Sequence, residues 1–232
     1  MSNWTPAWRY SQGINAPRRK HPSLFVIHFG AINSYDALVN YFHNNPDKRW
    51  ADSTWVVGQK GQWTQMVKAE DTPYTNGNGL GKWIDEKGIL TSLINDIAFT
   101  VETSNNTDGK HFVYTDAQYT TLAYLFKWTL ENFQHTHITR VCGHEHLTPK
   151  FKVDPGPLFD WEKFLVGHMG MKQQIYSEYL QYLQQVASIT TDAWWLGPDA
   201  DMAYMKKELS LDGALKVHRD LSGRPSSHYM NK

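Results

Sequence analysis

Residues 23–29, Ser-Leu-Phe-Val-Ile-His-Phe, form an apolar run ending at Gly30, and this run constrains the chain more than any other feature. It reads as a β-strand buried on both faces, because a half-exposed strand would alternate apolar and polar residues. The run therefore sets His28 at the end of a core strand. With 232 residues, 41% of them hydrophobic, the chain can bury a sizeable core, which suggests one substantial domain with a smaller appendage.

Other elements follow from periodicity and punctuation. Ser34 can cap a helix carrying Leu38, Val39, Tyr41 and Phe42, which breaks down at Asn44-Asn45-Pro46. Residues 54–58 and 62–67 flank Gln59-Lys60-Gly61 and predict a hairpin. Residues 68–95 are rich in Gly, Asn and Lys around Asn76-Gly77-Asn78-Gly79 and read as a long loop, a common form for a binding surface. Residues 97–103 read as a strand presenting Glu102 near its end. Thr115 and Gln118 have the spacing of a capping box, followed by Tyr119, Leu122, Ala123, Phe126, Leu130 and Phe133 at helical spacing. Residues 138–142 read as a short strand delivering His144, and residues 161–166 as the start of a closing helix.

Charge narrows the partners. Lys plus Arg and Asp plus Glu balance at 23 each, so nothing argues for nucleic acid or an anionic membrane. No apolar run approaches the ~20 residues of a membrane span, and residues 1–6 carry no readable export signal. Ten Trp and twelve Tyr would suit stacking on sugar rings, and equally suit core filling. Cys142 is the only cysteine, which excludes an internal disulfide and predicts a small buried residue.

The chemistry gathers at three strand ends, those of His28, Glu102 and His144, and on the loop that follows the third. Residues 143–157 place His144, Lys152 and Asp154 on one short irregular segment. Two imidazole nitrogens and one carboxylate oxygen suit Zn²⁺, and three protein ligands leave a fourth position open for water. His146 reads as a supporting or structural neighbour, and Pro155-Gly156-Pro157 as the turn that aims Asp154.

Val26-Ile27-His28, the segment Asn95 to Glu102, Tyr114 to Tyr119, and Gly143-His144 through Lys152-Val153-Asp154-Pro155-Gly156-Pro157-Leu158-Phe159-Asp160-Trp161 resemble the zinc-dependent N-acetylmuramoyl-L-alanine amidases of the type 2 amidase and peptidoglycan-recognition superfamily. The resemblance covers roughly residues 20–166. It implies an α/β fold, a central mixed β-sheet flanked by helices. It also implies His28, His144 and Asp154 as zinc ligands, Glu102 as acid/base and Lys152 beside the substrate carbonyl. The scissile bond it implies joins N-acetylmuramic acid to the L-alanine of the peptidoglycan stem.

The chain departs from the family pattern in two places. Asp52-Ser53-Thr54-Trp55 replaces a strand that often carries Ser-x-His or Tyr-His, which shifts the catalytic burden to Glu102. Tyr74-Thr75-Asn76-Gly77 stands where Trp-His-Ala-Gly is frequent, leaving Tyr74, Thr75 and Asn76 as weak substrate-binding candidates.

The expected organisation is a zinc amidase domain over residues 1–168, a helical extension over 169–221 and a disordered tail over 222–232. The extension includes a helix at 171–189 with Ile175, Tyr179, Leu183 and Val186 on one face, able to serve a carrier or self-association. The leading functional expectation is a cell-wall-degrading phage lysin or bacterial effector, released from the cytoplasm by a holin or secretion system. The alternatives are a cytoplasmic enzyme recycling anhydro-muropeptides and a non-catalytic peptidoglycan-binding module.

Overall fold

The computed structural model describes residues 7–8, 16–44, 51–77, 81–85, 87, 89–105, 113–149, 151–193 and 225–231. A six-stranded mixed sheet forms the centre, in the order β1 (Ala7–Trp8), β4 (Trp63–Gln65), β3 (Trp55–Val57), β7 (Ala98–Thr103), β2 (Leu24–Phe29) and β8 (Val141–Gly143). Only β3 and β4 pair antiparallel; the other neighbours run parallel. Strand β2 lies between β7 and β8 and is buried along Leu24–His28, as its unbroken apolar run requires. The expected α/β architecture is therefore present.

Helices cover both faces. Helix α1 (Tyr35–Asn44) starts where Ser34 Oγ accepts the Ala37 N–H at 3.3 Å, and buries Leu38, Val39 and Phe42. The hairpin between β3 and β4 turns at Gly61, whose φ of 80° lies in the left-handed region. Helix α3 (Asp116–Asn132) opens with the predicted capping box: Thr115 Oγ1 accepts the Gln118 N–H and Gln118 Oε1 accepts the Thr115 N–H, each at 3.1 Å. Its inner face joins Phe25, Trp55 and Phe99 through Phe126.

Several expectations need correction. Residues 68–95 are not a featureless loop: β5 (Trp83–Ile84) pairs with β6 (Leu90–Thr91), and a single helical turn, α2 (Ile94–Ile97), leads into β7. Residues 78–80, 86 and 88 of that stretch, including Asn78 and Gly79, lie outside the described residues. The strand expected at 138–142 begins later, because His137 Nδ1 accepts the Thr139 N–H and holds a turn there. The closing segment contains a π-helix, Lys163–His168.

After the single helical turn α4 (His144–Leu147), helix α5 (Gln173–Ala193) buries Tyr179, Leu183 and Val186 as predicted, together with Tyr182. These side chains belong to the same core cluster as β2 and β7, so the described part of the extension packs into the main core. Residues 194–221 lie outside the described residues.

The tail, expected to be disordered, is docked over residues 225–231. Ser226–His228 forms a 3₁₀ turn, Ser226 Oγ accepts the Ile138 N–H at 3.1 Å, and Tyr229 is buried against His137. The buried aromatic ring supplies what a composition-based reading overlooks. Residues 222–224 and 232 lie outside the described set.

Candidate metal centre and active site

Sheet register brings the chemistry together. His28 and Glu102 are direct partners in the parallel β2–β7 pair, so both side chains leave the same face of the sheet. Ile27 pairs with Gly143, which places His144, one residue beyond β8, beside His28. The two imidazoles meet edge to face with centroids 4.4 Å apart.

Asp154 arrives from the following loop. Its backbone carbonyl accepts the Glu145 N–H at 2.8 Å, and the next turn is tied down where Tyr114 Oη donates to the Pro155 carbonyl at 3.0 Å. Gly156, with φ 84°, provides the left-handed bend within Pro155-Gly156-Pro157. The carboxylate then projects inward: Asp154 Oδ2 lies 2.9 Å from His28 Nδ1 and 3.2 Å from His144 Nδ1.

His28, His144 and Asp154 are all buried, and one ligand atom from each lies within 4.8 Å of the others. The donor set suits zinc. Ligands ~2.0 Å from the centre of a tetrahedron stand ~3.3 Å apart, close to the two separations seen here. Burial works against charge on His28, but the Asp154 contact and the Glu102 charge outweigh it and raise its pKa. His144, under burial and the neighbouring His28, falls to about 4. Burial would raise Asp154, yet its contacts with His144 and His28 hold it well below the usual carboxylate range. A site that keeps an imidazole neutral and a carboxylate ionised is arranged for a cation.

Glu102 is 7% exposed, and its Oε2 has no hydrogen-bond partner among the described residues. Desolvation first, and repulsion from Asp154 second, push its pKa up to about 7. The carboxyl group is thereby poised to accept and return a proton near neutral pH. Lys152 is exposed, and its charge lowers the proton affinity of His28, Glu102 and His144, which places its ammonium within electrostatic reach of the cluster.

Of the three weak substrate candidates, Tyr74 is held by its backbone and Thr75 and Asn76 by their side chains. Tyr74 N–H donates to Asp52 Oδ1 at 2.6 Å, Thr75 Oγ1 donates to the Asp52 carbonyl, and Asn76 is 1% exposed with Oδ1 3.1 Å from His28 Nε2. Ser53 and Thr54 are also fully buried and join β3 to β7 through Thr100. His146 accepts the Gly143 N–H at 3.0 Å and packs its ring on Trp161, a structural role. Sequence reasoning missed Asn95, Tyr114 as an anchor, and Thr103, whose Oγ1 donates to the His28 carbonyl at 2.8 Å. The run Asn95 to Glu102 contains the first of these, but nothing in its spacing reports a contact with residue 76.

A cavity of about 530 Å³ lies beside this loop, with Arg19, Thr72, Tyr74, Gly77, Asn95 and Asp96 in its wall. The wall does not include the His-His-Asp cluster, so the cavity is a neighbour of the reactive centre.

These features define an α/β protein with a buried His-His-Asp cluster beside a buried carboxyl group. Residues 18–157, more than half of the chain, match the N-acetylmuramoyl-L-alanine amidase family, Amidase_2. The chain belongs to that family. It is 35% identical over 112 residues to the 1,6-anhydro-N-acetylmuramyl-L-alanine amidase AmpD of Haemophilus influenzae, a match covering 47% of this chain and 54% of the relative. The chain thus spans about half the length of that curated relative.

Among solved structures, AmpDh3 of Pseudomonas aeruginosa superposes with a TM-score of 0.57 at 15% identity, covering 96% of this chain and 98% of that one. AmiD of E. coli, solved with the substrate anhydro-N-acetylmuramic acid-L-Ala-D-gamma-Glu-L-Lys, gives 0.53 at 20% identity, covering 88% and 83%. At these identities the likeness concerns the fold.

Proposed function

We propose that this chain is a zinc-dependent amidase that hydrolyses the bond between the lactyl group of N-acetylmuramic acid and L-alanine in peptidoglycan or its fragments. The observation that carries the reading is the convergence of His28, His144 and Asp154 next to Glu102 within the family match. Zinc bound by those three residues would lower the pKa of a water to about 7 and polarise the carbonyl.

The chain's own residues supply the rest. An amide resists hydrolysis because water is a weak nucleophile and an amine a poor leaving group. Glu102 takes a proton from the attacking water and returns it to the departing nitrogen, so the C–N bond breaks to give a muramyl carboxylate and a free L-alanine amine. Lys152 faces the oxyanion that forms on the carbonyl, a contribution typically worth ~3–4 kcal/mol per donor. With both histidines and the aspartate in place, the reading as a binding module without catalysis has no support in the cluster.

The physiological substrate divides into two readings. The sequence motifs alone favour wall-bound peptidoglycan, as for a phage lysin or an effector. Soluble 1,6-anhydro-muropeptides are favoured by the 35% identity to AmpD, whose name states that specificity. The purified chain, offered intact sacculi and soluble anhydro-muropeptides with and without chelator, separates them by mass spectrometry. Stem peptides beginning with L-alanine, lost on chelation, are expected; cleaved glycan or cross-bridges would overturn the amidase reading. The ratio of rates on the two substrates selects between wall degradation and recycling.

A further inference from the structure

We propose that Asn76, anchored by Asn95, is a positioning residue of this site: it fixes His28 as the tautomer protonated on Nε2 and keeps the Nδ1 lone pair aimed at the metal position. The proposal rests on the zinc amidase reading.

One group in this contact has a polarity that is beyond choice. A backbone N–H only donates, and the Asn76 N–H lies 3.0 Å from the Asn95 side chain, so the atom it meets is the carbonyl Oδ1. That same Oδ1 lies 3.1 Å from the end of the Asn76 carboxamide, which must therefore present Nδ2. Its other end, Oδ1, is then the atom 3.1 Å from His28 Nε2. A carbonyl oxygen only accepts, so Nε2 carries the proton and Nδ1 of a neutral ring carries the lone pair.

Nδ1 is the atom that meets Asp154 Oδ2 at 2.9 Å. Two lone-pair donors at that separation repel unless a cation joins them, so the tautomer makes the cluster receptive to a metal. The contact is buried: His28 and Asn76 are each 1% exposed, so water cannot replace the amide. His144 has no equivalent, because its buried Nε2 meets no partner among the described residues. Orientation of the histidine pair therefore depends on the His28 side. Asn76 also stands where the resembled motif carries alanine, which has no acceptor to offer.

The test uses the full chain labelled with ¹⁵N-histidine and loaded with zinc. Long-range ¹H–¹⁵N correlation is expected to show His28 bound through Nδ1 with a proton on Nε2; coordination through Nε2 would overturn the proposal. In chelator competition, Asn76→Ala is expected to bind zinc ~10–100-fold more weakly. Asn95→Asp, which keeps the acceptor, is expected to stay close to the parent. Parental zinc affinity in an Asn76→Ala protein whose metal-free form melts as the parent does would also overturn it. The spectrum of the unsubstituted chain decides the matter even where Asn76→Ala does not fold. A chain that binds no zinc sinks the amidase reading and this proposal with it, whereas zinc binding and cleavage with Nε2 coordination sink this proposal alone.

Discussion

Glu102 shows how one side chain acquires a function from its surroundings. An exposed glutamate is ionised at neutral pH and is a weak base, but burial beside Asp154 pushes this one up to about 7. The ionised form accepts the proton of water, so kcat/KM is expected to rise with pH through about 7 and to fall below it. Glu102→Gln should lower kcat by ~10²–10⁴ and flatten that limb while zinc content, measured by mass spectrometry, stays stoichiometric. Stability moves the other way. A carboxyl group whose folded pKa is raised holds more protons in the native than in the unfolded state, so its contribution falls as pH rises through the interval up to about 7. The metal-free Glu102→Gln protein should therefore melt higher than its parent, by a margin that grows from pH 5 to pH 8. The candidate roles of His28, His144, Asp154 and Glu102 were all readable from motif order. Asn76 was assigned to substrate, because a motif position identifies a loop without saying which way its side chain turns.

At the scale of elements, the site is a set of strand ends clamped by tight backbone contacts. Gly143 is the most exacting of them: a Cβ there would lie 2.3 Å from Pro155 Cδ and 3.2 Å from the Asp154 carbonyl. Gly143→Ala must push the 154–156 turn outward, and with it the carboxylate that touches both histidines. The expected result is zinc affinity at least ~10-fold weaker, by the same chelator competition, with far-ultraviolet circular dichroism unchanged. Local signals foretold most of these elements. The capping box at Thr115, the hairpin glycine at position 61 and the apolar run of β2 each act within a few residues, so they survive translation into sequence. The short strands β5 and β6 were missed because two-residue strands have no period to read.

Across the whole molecule, the chain's late segments complete the core. Helix α5 brings Tyr182 against Trp83 with centroids 5.8 Å apart, and the 225–231 segment bonds to both Ile138 and Lys172. Tyr229, 3% exposed, is the anchor of that segment. Tyr229→Ala should cost about 1.5–3 kcal/mol in urea unfolding and leave zinc affinity unaltered, since its ring packs at His137 and away from the metal cluster. An unchanged midpoint would show the segment to be dispensable for stability. No helix among the described residues is long and apolar enough to cross a membrane.

Which residues are chemically able to act, and which local elements carry them, is legible along the chain, because helix caps, strand burial and ligand chemistry depend on neighbours a few positions apart. The tertiary structure decided the partnerships. His28 meets Asp154 across 126 positions and Asn76 across 48; the β2–β8 register and the loop after it close the first distance, and the Asn95 contact helps close the second. It also decided that Asn76 lies against a histidine and that the segment 225–231 is docked. Both depend on which buried polar or aromatic group finds a partner, a question settled only when distant segments pack together.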